Sequence, residues 1–179
     1  MRIISGAARG RKLKNLDGTE IKPTSDMVKE SIFNIVQFDI EGRQVLDLFA
    51  GSGQLGLEAL SRGARYAVFI DTDPAAQKLI KENIKLCGFT NIATVYRRDA
   101  LDYLKRCEAF DLIFIDPPYA SPFVGEALKK INEFDKLKTN GIIICEMRVD
   151  RQTPAVQPPY YMHKEYIYGN IKIIRYGRQ

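Results

Sequence analysis

The chain has 179 residues, 45% hydrophobic and 27% charged, the composition of a globular domain with a core of its own. Three scattered cysteines (Cys87, Cys107, Cys145) and a single histidine (His163) exclude a disulfide framework and point to no metal site. No apolar run nears the roughly 18 residues a membrane span needs, and the basic N-terminus lacks the apolar stretch of a secretory signal, so a cytoplasmic protein is expected.

The net charge of +5 is unevenly placed. Arg2, Arg9, Arg11, Lys12 and Lys14 put five cations and no acid in the first fourteen residues, and the rest of the chain is balanced. Residues 1–22 are expected to form a small, flexible basic extension, anchored by Ile3, Ile4 and Leu13 and turning at Gly6, Gly10 and Gly18. Such a segment on a neutral body predicts contact with a phosphate backbone; the plainer reading is a solvated tail. Residues 23–179 then read as one domain. Pro23-Thr24-Ser25-Asp26 signals a helix start, and Val28, Ile32, Ile35 and Val36 share one face of a helix reaching about Val36.

From Gly42 the pattern alternates strand and helix. Val45-Leu46-Asp47-Leu48 reads as a strand, followed by Gly51-x-Gly53-x-x-Gly56 and a helix through Leu57, Ala59 and Leu60. Glycines at this spacing let a backbone turn sharply and approach a ligand, and the helix aims free N–H groups into the same space. Asp47 stands where its carboxylate can face a cation. The next strand, Ala67–Ile70, ends in Asp71, twenty residues past Gly51, a distance that suits ribose hydroxyls. One strand–turn–helix–strand unit built for a nucleoside is the expectation.

A helix starting with Pro74 buries Ala76, Leu79, Ile80, Ile84 and Cys87 and stops at Gly88. A strand over about Ile92–Tyr96 leads to Asp99, then a short helix with Leu101 and Leu104. The apolar run Phe110–Ile115 fits a strand buried on both faces and ends in Asp116-Pro117-Pro118-Tyr119. Ser121-Pro122 opens a further helix, Gly141–Cys145 is a fifth strand, and two β-rich runs, Tyr160–Tyr168 and Ile171–Tyr176, close the chain. This order predicts a doubly wound, mostly parallel seven-stranded sheet with helices on both faces. Asp47, Asp71, Asp99 and Asp116 then fall on one rim, where unpartnered carboxylates are costly and a cationic or hydroxyl-rich ligand relieves them.

The Asp116-Pro117-Pro118-Tyr119 turn is the most specific signal. Two prolines fix φ near −65° and remove two N–H donors, leaving the carbonyls of Asp116 and Pro117 beside a carboxylate. An acceptor-only pocket with an aromatic ring suits a planar group bearing an NH₂. The competing reading is a proline turn with Tyr119 covering the core.

With these motifs the chain resembles the class I S-adenosylmethionine-dependent methyltransferases that modify exocyclic amines. Arg2-Ile3-Ile4-Ser5-Gly6, Gly10-Arg11-Lys12-Leu13, Pro23-Thr24-x-Asp26, Phe33-Asn34 and Tyr168-Gly169 narrow the resemblance to the RsmD family, over nearly the whole chain. That resemblance implies transfer of a methyl group to the 2-amino group of a guanine in 16S ribosomal RNA, free or within the small subunit. It implies S-adenosylmethionine as cofactor, held by Asp47, Phe49, Gly51, Gly53, Asp71, Asp99 and Ala100. It implies a target base held by Asp116, Pro117, Pro118 and Tyr119, with Arg2, Arg9, Arg11 and Lys12 on the RNA. Part of a C-terminal set (Arg148, Arg151, Lys172, Arg175) is expected to extend that surface. Lys22, Met27 and Ile171 depart from the family pattern; Lys22 loses the planar fork of arginine and Met27 its charge.

Other classes stay open at this point. A nicotinamide-dependent dehydrogenase shares the glycine turn and Asp71 but has no need of the proline turn. DNA adenine-N(6) methyltransferases carry the same tetrapeptide and generally add a recognition domain for which little length is left here. Protein-glutamine methylation usually shows Asn in place of Asp116. A non-catalytic RNA-binding module of the same fold has no use for the acid rim.

Overall fold

The computed structural model describes residues 1–15, 26–118 and 122–179. Seven strands form one sheet in the order β3-β2-β1-β4-β5-β7-β6. β1 (Gln44–Asp47), β2 (Tyr66–Asp71), β3 (Ala93–Arg97), β4 (Phe110–Ile115) and the first part of β5 (Leu137–Arg148) are parallel. β6 (Tyr160–Tyr168) and β7 (Ile171–Arg178) form an antiparallel hairpin, and β7 pairs with β5. The expected sheet is therefore present, with the strand order reversing between β1 and β4.

Among the described residues the α-helices are α1 (Asp26–Ile35), α2 (Gln54–Ser61), α3 (Pro74–Cys87), α4 (Ala100–Leu104) and α5 (Phe123–Glu133). They divide the core in two. One cluster, under α1–α3, includes Phe33, Val45, Leu57, Phe69, Ile80 and Phe114. The other, under α4 and α5, includes Leu46, Ile70, Leu104, Ile113, Leu128 and Ile143. Successive residues of β1, β2 and β4 feed opposite clusters, which is why those strands are apolar at nearly every position.

One strand boundary differs clearly from the sequence reading. β5 starts at Leu137 rather than Gly141, because Leu137 pairs with Phe110 before a bulge resets the register at Leu112–Ile142. The helix-start residues Pro23, Thr24 and Ser25 lie outside the described residues.

Residues 1–14 are not a loose tail. Arg2 and Lys12 bridge as an antiparallel pair, and Ile3, Ala8 and Leu13 are buried. Ile4 and Ser5 donate their N–H groups to the Glu58 carboxylate at 2.8 and 3.0 Å, and Ala8 N–H donates to Ser61 Oγ at 2.9 Å. Gly6 sits so close to α2 that a Cβ there would lie 1.7 Å from the Ser61 carbonyl oxygen. Buried Lys29 donates to the Arg2 carbonyl, and burial pulls its pKa down although Glu58 and Asp26 oppose this. The described part of the expected loose extension is thus packed on the body: its backbone bonds go to α1, α2 and α3 and within the segment itself.

Candidate active site

The site lies at the carboxyl ends of β2, β1 and β4, around the switch in strand order. Asp47 ends β1 and pairs in register with Phe69 on β2 and Phe114 on β4. Asp71 and Asp116 each stand two residues beyond those partners, on the same face of the pleat. Three acids therefore gather on one rim, with Asp47 deepest at 2% exposure.

The electrostatics follow from that arrangement. Burial pushes the Asp47 carboxyl up to about 7, the neighbouring Asp116 and Asp71 carboxylates push the same way, and a hydrogen bond from Gly56 N–H at 2.9 Å only partly offsets them. The charged form of Asp47 is therefore costly in the free protein. A cation placed in the rim restores its charge.

The glycine turn divides its labour. Gly51 (φ +53°) and Gly53 (φ +79°) adopt left-handed backbone, and a Cβ on Gly51 would meet nothing within 4 Å, so the turn is open on that side. Gly56 is helical and serves packing instead: a Cβ there would lie 2.3 Å from the Phe69 ring. Gly53 caps α2 without any side-chain hydrogen bond. Asp71 clamps the turn by accepting from Gly51 N–H at 2.8 Å through Oδ2, and its Oδ1 accepts from Asp73 N–H at 2.9 Å. Each oxygen keeps a lone pair for a hydroxyl.

Asp99 caps α4 by accepting from Asp102 N–H at 2.9 Å, with its side chain exposed and Ala100 buried behind it. Phe49, in the loop after β1, stacks on Phe123 of α5 at 5.5 Å between ring centroids. Asp116 and Pro117 follow β4 directly, Pro117 buried and Asp116 half-buried. Tyr119 lies outside the described residues, as does Lys22. Beside the proline turn a cavity of about 190 Å³ is lined by Pro117, Pro118, Glu146, Met147, Arg151 and Pro154.

Sequence reading missed Gln54. It opens α2, is nine-tenths buried, and its Oε1 takes no hydrogen bond among the described residues. An orphaned acceptor at the helix head, next to the acid rim, fits a ligand that brings N–H donors. Only its place directly after Gly53 could have singled it out.

The basic residues separate. Arg9, Arg11 and Lys12 are exposed around an open concavity of about 320 Å³ formed by Ala7–Lys12, and Arg2 is exposed beside Asp26. Lys14 is paired with Glu82 at 2.8 Å. Two of the C-terminal cations are not surface groups. Lys172 is 4% exposed and donates to the Arg151 carbonyl and Thr153 Oγ1, both at 2.7 Å. Arg175 is spent on the Ile35 carbonyl and Asp39. Their ends are used to fasten loops to the sheet.

Comparison with known proteins agrees in kind. The family model described as "Conserved hypothetical protein 95" matches residues 1–177. The Bacillus subtilis protein YlbH is 40% identical, with both chains covered in full. The ribosomal RNA small subunit methyltransferase D of Haemophilus influenzae is 38% identical over 88% of this chain and 83% of its own. The solved structure of yhhF from Escherichia coli superposes with a TM-score of 0.90 at 33% identity, covering 100% of this chain and 98% of that one.

Proposed function

The chain belongs to the RsmD family of ribosomal RNA methyltransferases, matched by that model over residues 1–177, and from this premise we propose that it methylates the 2-amino group of a guanine in small-subunit (16S) ribosomal RNA. The methyl donor is S-adenosylmethionine, which supplies an already activated methyl on a sulfonium. The observation that carries the reading is the acid rim: Asp47, Asp71 and Asp116 converge on an open glycine turn, and burial with the two neighbouring carboxylates makes the Asp47 charge costly without a cationic partner.

Asp47 and Gln54 are positioned for the amino end of the cofactor, Gly51 and Gly53 for close backbone approach, and Asp71 for the ribose hydroxyls. Phe49, Asp99 and Ala100 complete its adenine side. Asp116 and the Pro117 carbonyl accept hydrogen bonds from the target amine, with Pro118 and Tyr119 against the base. An amine conjugated into a purine is a poor nucleophile; two acceptors pulling on its hydrogens favour the pyramidal form, whose lone pair can attack in line. When bound, the cofactor would supply the methyl group to that lone pair, and the Asp116 carboxylate would accept the proton the amine gives up. Arg2, Arg9, Arg11 and Lys12 hold RNA phosphates and keep the target nucleotide in register. A ribosomal RNA substrate, free or in the assembling subunit, supports work in the cytoplasm.

The test is transfer of labelled methyl from S-adenosylmethionine to transcribed small-subunit ribosomal RNA, to the same RNA with ribosomal proteins bound, and to DNA, in parallel. Label in either RNA arm and none in DNA is expected. Label in DNA alone overturns the reading in favour of adenine methylation.

A further inference from the structure

Asn83 occupies a place where the pattern of α3 calls for an apolar residue. It lies on the buried face with Leu79, Ile80, Ile84 and Cys87, and its side chain has no exposure to solvent. A buried amide is costly unless its hydrogen bonds are made. Here they are made to two segments that otherwise belong to different parts of the site. Asn83 Oδ1 accepts from Lys14 N–H at 2.8 Å, and Nδ2 donates to the Lys14 carbonyl at 3.1 Å and to the Ser52 carbonyl at 3.0 Å. Lys14 ends the basic N-terminal segment. Ser52 sits between Gly51 and Gly53 at the crown of the glycine turn.

A second contact joins the same two segments without Asn83. The Ser52 hydroxyl donates to the Met1 sulfur at 3.4 Å, and the Leu13 N–H donates to the Met1 carbonyl at 3.2 Å. One end of the basic segment therefore meets Ser52 directly and the other reaches it through Asn83. The turn's other side is held by the bond from Gly51 N–H to Asp71. A ligand that fixes the conformation of residues 51–53 also fixes the carbonyl to which Asn83 is bound, and through it the backbone of Lys14. Loading the basic segment acts back along the same bonds.

We propose that Asn83 is a positioning residue coupling the basic segment to the glycine turn, so that RNA and cofactor each tighten the binding of the other. This rests on the reading above, that the segment meets RNA and the turn meets the cofactor. Coupling of this kind is reciprocal by linkage. A purely structural role for Asn83 lowers stability or both affinities and leaves their ratio unchanged.

The experiment is calorimetric binding of S-adenosylhomocysteine to the full chain, with and without saturating transcribed small-subunit ribosomal RNA, for wild type and Asn83→Asp. Aspartate has the same size and still accepts from Lys14 N–H, and its ionised form, favoured by measuring at about pH 8.5, has no hydrogen to donate to Ser52. Wild type is expected to bind S-adenosylhomocysteine at least about fivefold more tightly with RNA present. Asn83→Asp is expected to show less than about a twofold effect. RNA binding without coupling in wild type, or full coupling in the variant, overturns the inference and leaves the proposed function standing. Failure of wild type to bind RNA at all overturns both. A wild-type measurement covers the case in which the variant does not fold: S-adenosylhomocysteine alone should slow hydrogen exchange at the Lys14 amide, and an unchanged rate overturns the inference.

Discussion

Asp71 and Gly51 lie twenty residues apart in the chain, yet the Gly51 N–H donates to Asp71 Oδ2 at 2.8 Å. The acid we assign to the ribose therefore also sets the shape of the glycine turn that we assign to the rest of the cofactor. Asp71→Ala removes both functions and should weaken S-adenosylhomocysteine binding by more than about tenfold, beyond one ordinary hydrogen bond. Asp71→Asn keeps one acceptor, which can serve Gly51, and should fall between. Calorimetry on the two variants checks the order; equal losses would show that the clamp on Gly51 contributes nothing.

Asp47 sets a trade between stability and binding. Its folded-state pKa, about 7, is above that of an unfolded carboxylate, so the folded state holds the extra proton between about pH 4 and 7. This group's contribution to stability is therefore greatest at low pH and is lost as pH rises through 7. Asp47→Asn keeps an acceptor for Gly56 N–H and carries no charge. It should raise the melting temperature of the free protein most at pH 8, less at pH 5, and hardly at all below about pH 4.

The same proton links cofactor binding to pH. A cationic ligand favours the ionised form of Asp47, so binding below pH 7 must expel a proton. Affinity should fall toward tenfold per pH unit below 7 and level off above it. Asp47→Asn should bind weakly at every pH and lose that slope. Titrations from pH 5.5 to 8.5 read both effects.

Much of this site is legible in the sequence because it rests on short-range spacing. The turn at Gly51 and Gly53, the acid at each strand end and the double proline are local features, and the sheet carries each where the pattern implies. What stays hidden depends on distant partners. Lys29, Glu58 and Asn83 look like ordinary polar helix residues, yet they are buried because backbone atoms of the N-terminal segment satisfy them. Lys172 reads as a surface cation for the same reason: nothing nearby in sequence announces the Arg151 carbonyl that takes its ammonium. β5 starts early because Leu137 already pairs with Phe110 and Asn140, at positive φ, stays inside the strand, where the sequence shows a turn former next to Gly141.

The exposed cations at the segment's tip predict a salt signature. Replacing Arg9, Arg11 and Lys12 together with alanine should flatten the slope of log RNA affinity against log salt by about two to three units, at about 0.7–0.9 per phosphate contact. S-adenosylhomocysteine affinity without RNA should stay within about threefold, because these side chains point to solvent while Ile3, Ala8 and Leu13 anchor the segment. An unchanged slope would place the RNA on another face.

Asp116 separates chemistry from cofactor binding. Asp116→Ala should abolish methyl transfer and leave S-adenosylhomocysteine affinity within a few-fold, since its carboxylate is assigned to the target amine. It also removes one of the charges that raise the Asp47 pKa, so the pH midpoint for cofactor binding should move down. A variant that retains full activity would remove Asp116 from the mechanism.

The most direct measurement is the identity of the product. Transcribed small-subunit ribosomal RNA is incubated with the protein and labelled S-adenosylmethionine, digested to nucleosides and separated by chromatography, with Asp116→Ala as the control. The account predicts that the label co-migrates with N(2)-methylguanosine and is absent from the control. Label on adenosine, on a ribose oxygen or on a ring atom of guanine would contradict the assignment of Asp116 and Pro117 to an exocyclic 2-amino group.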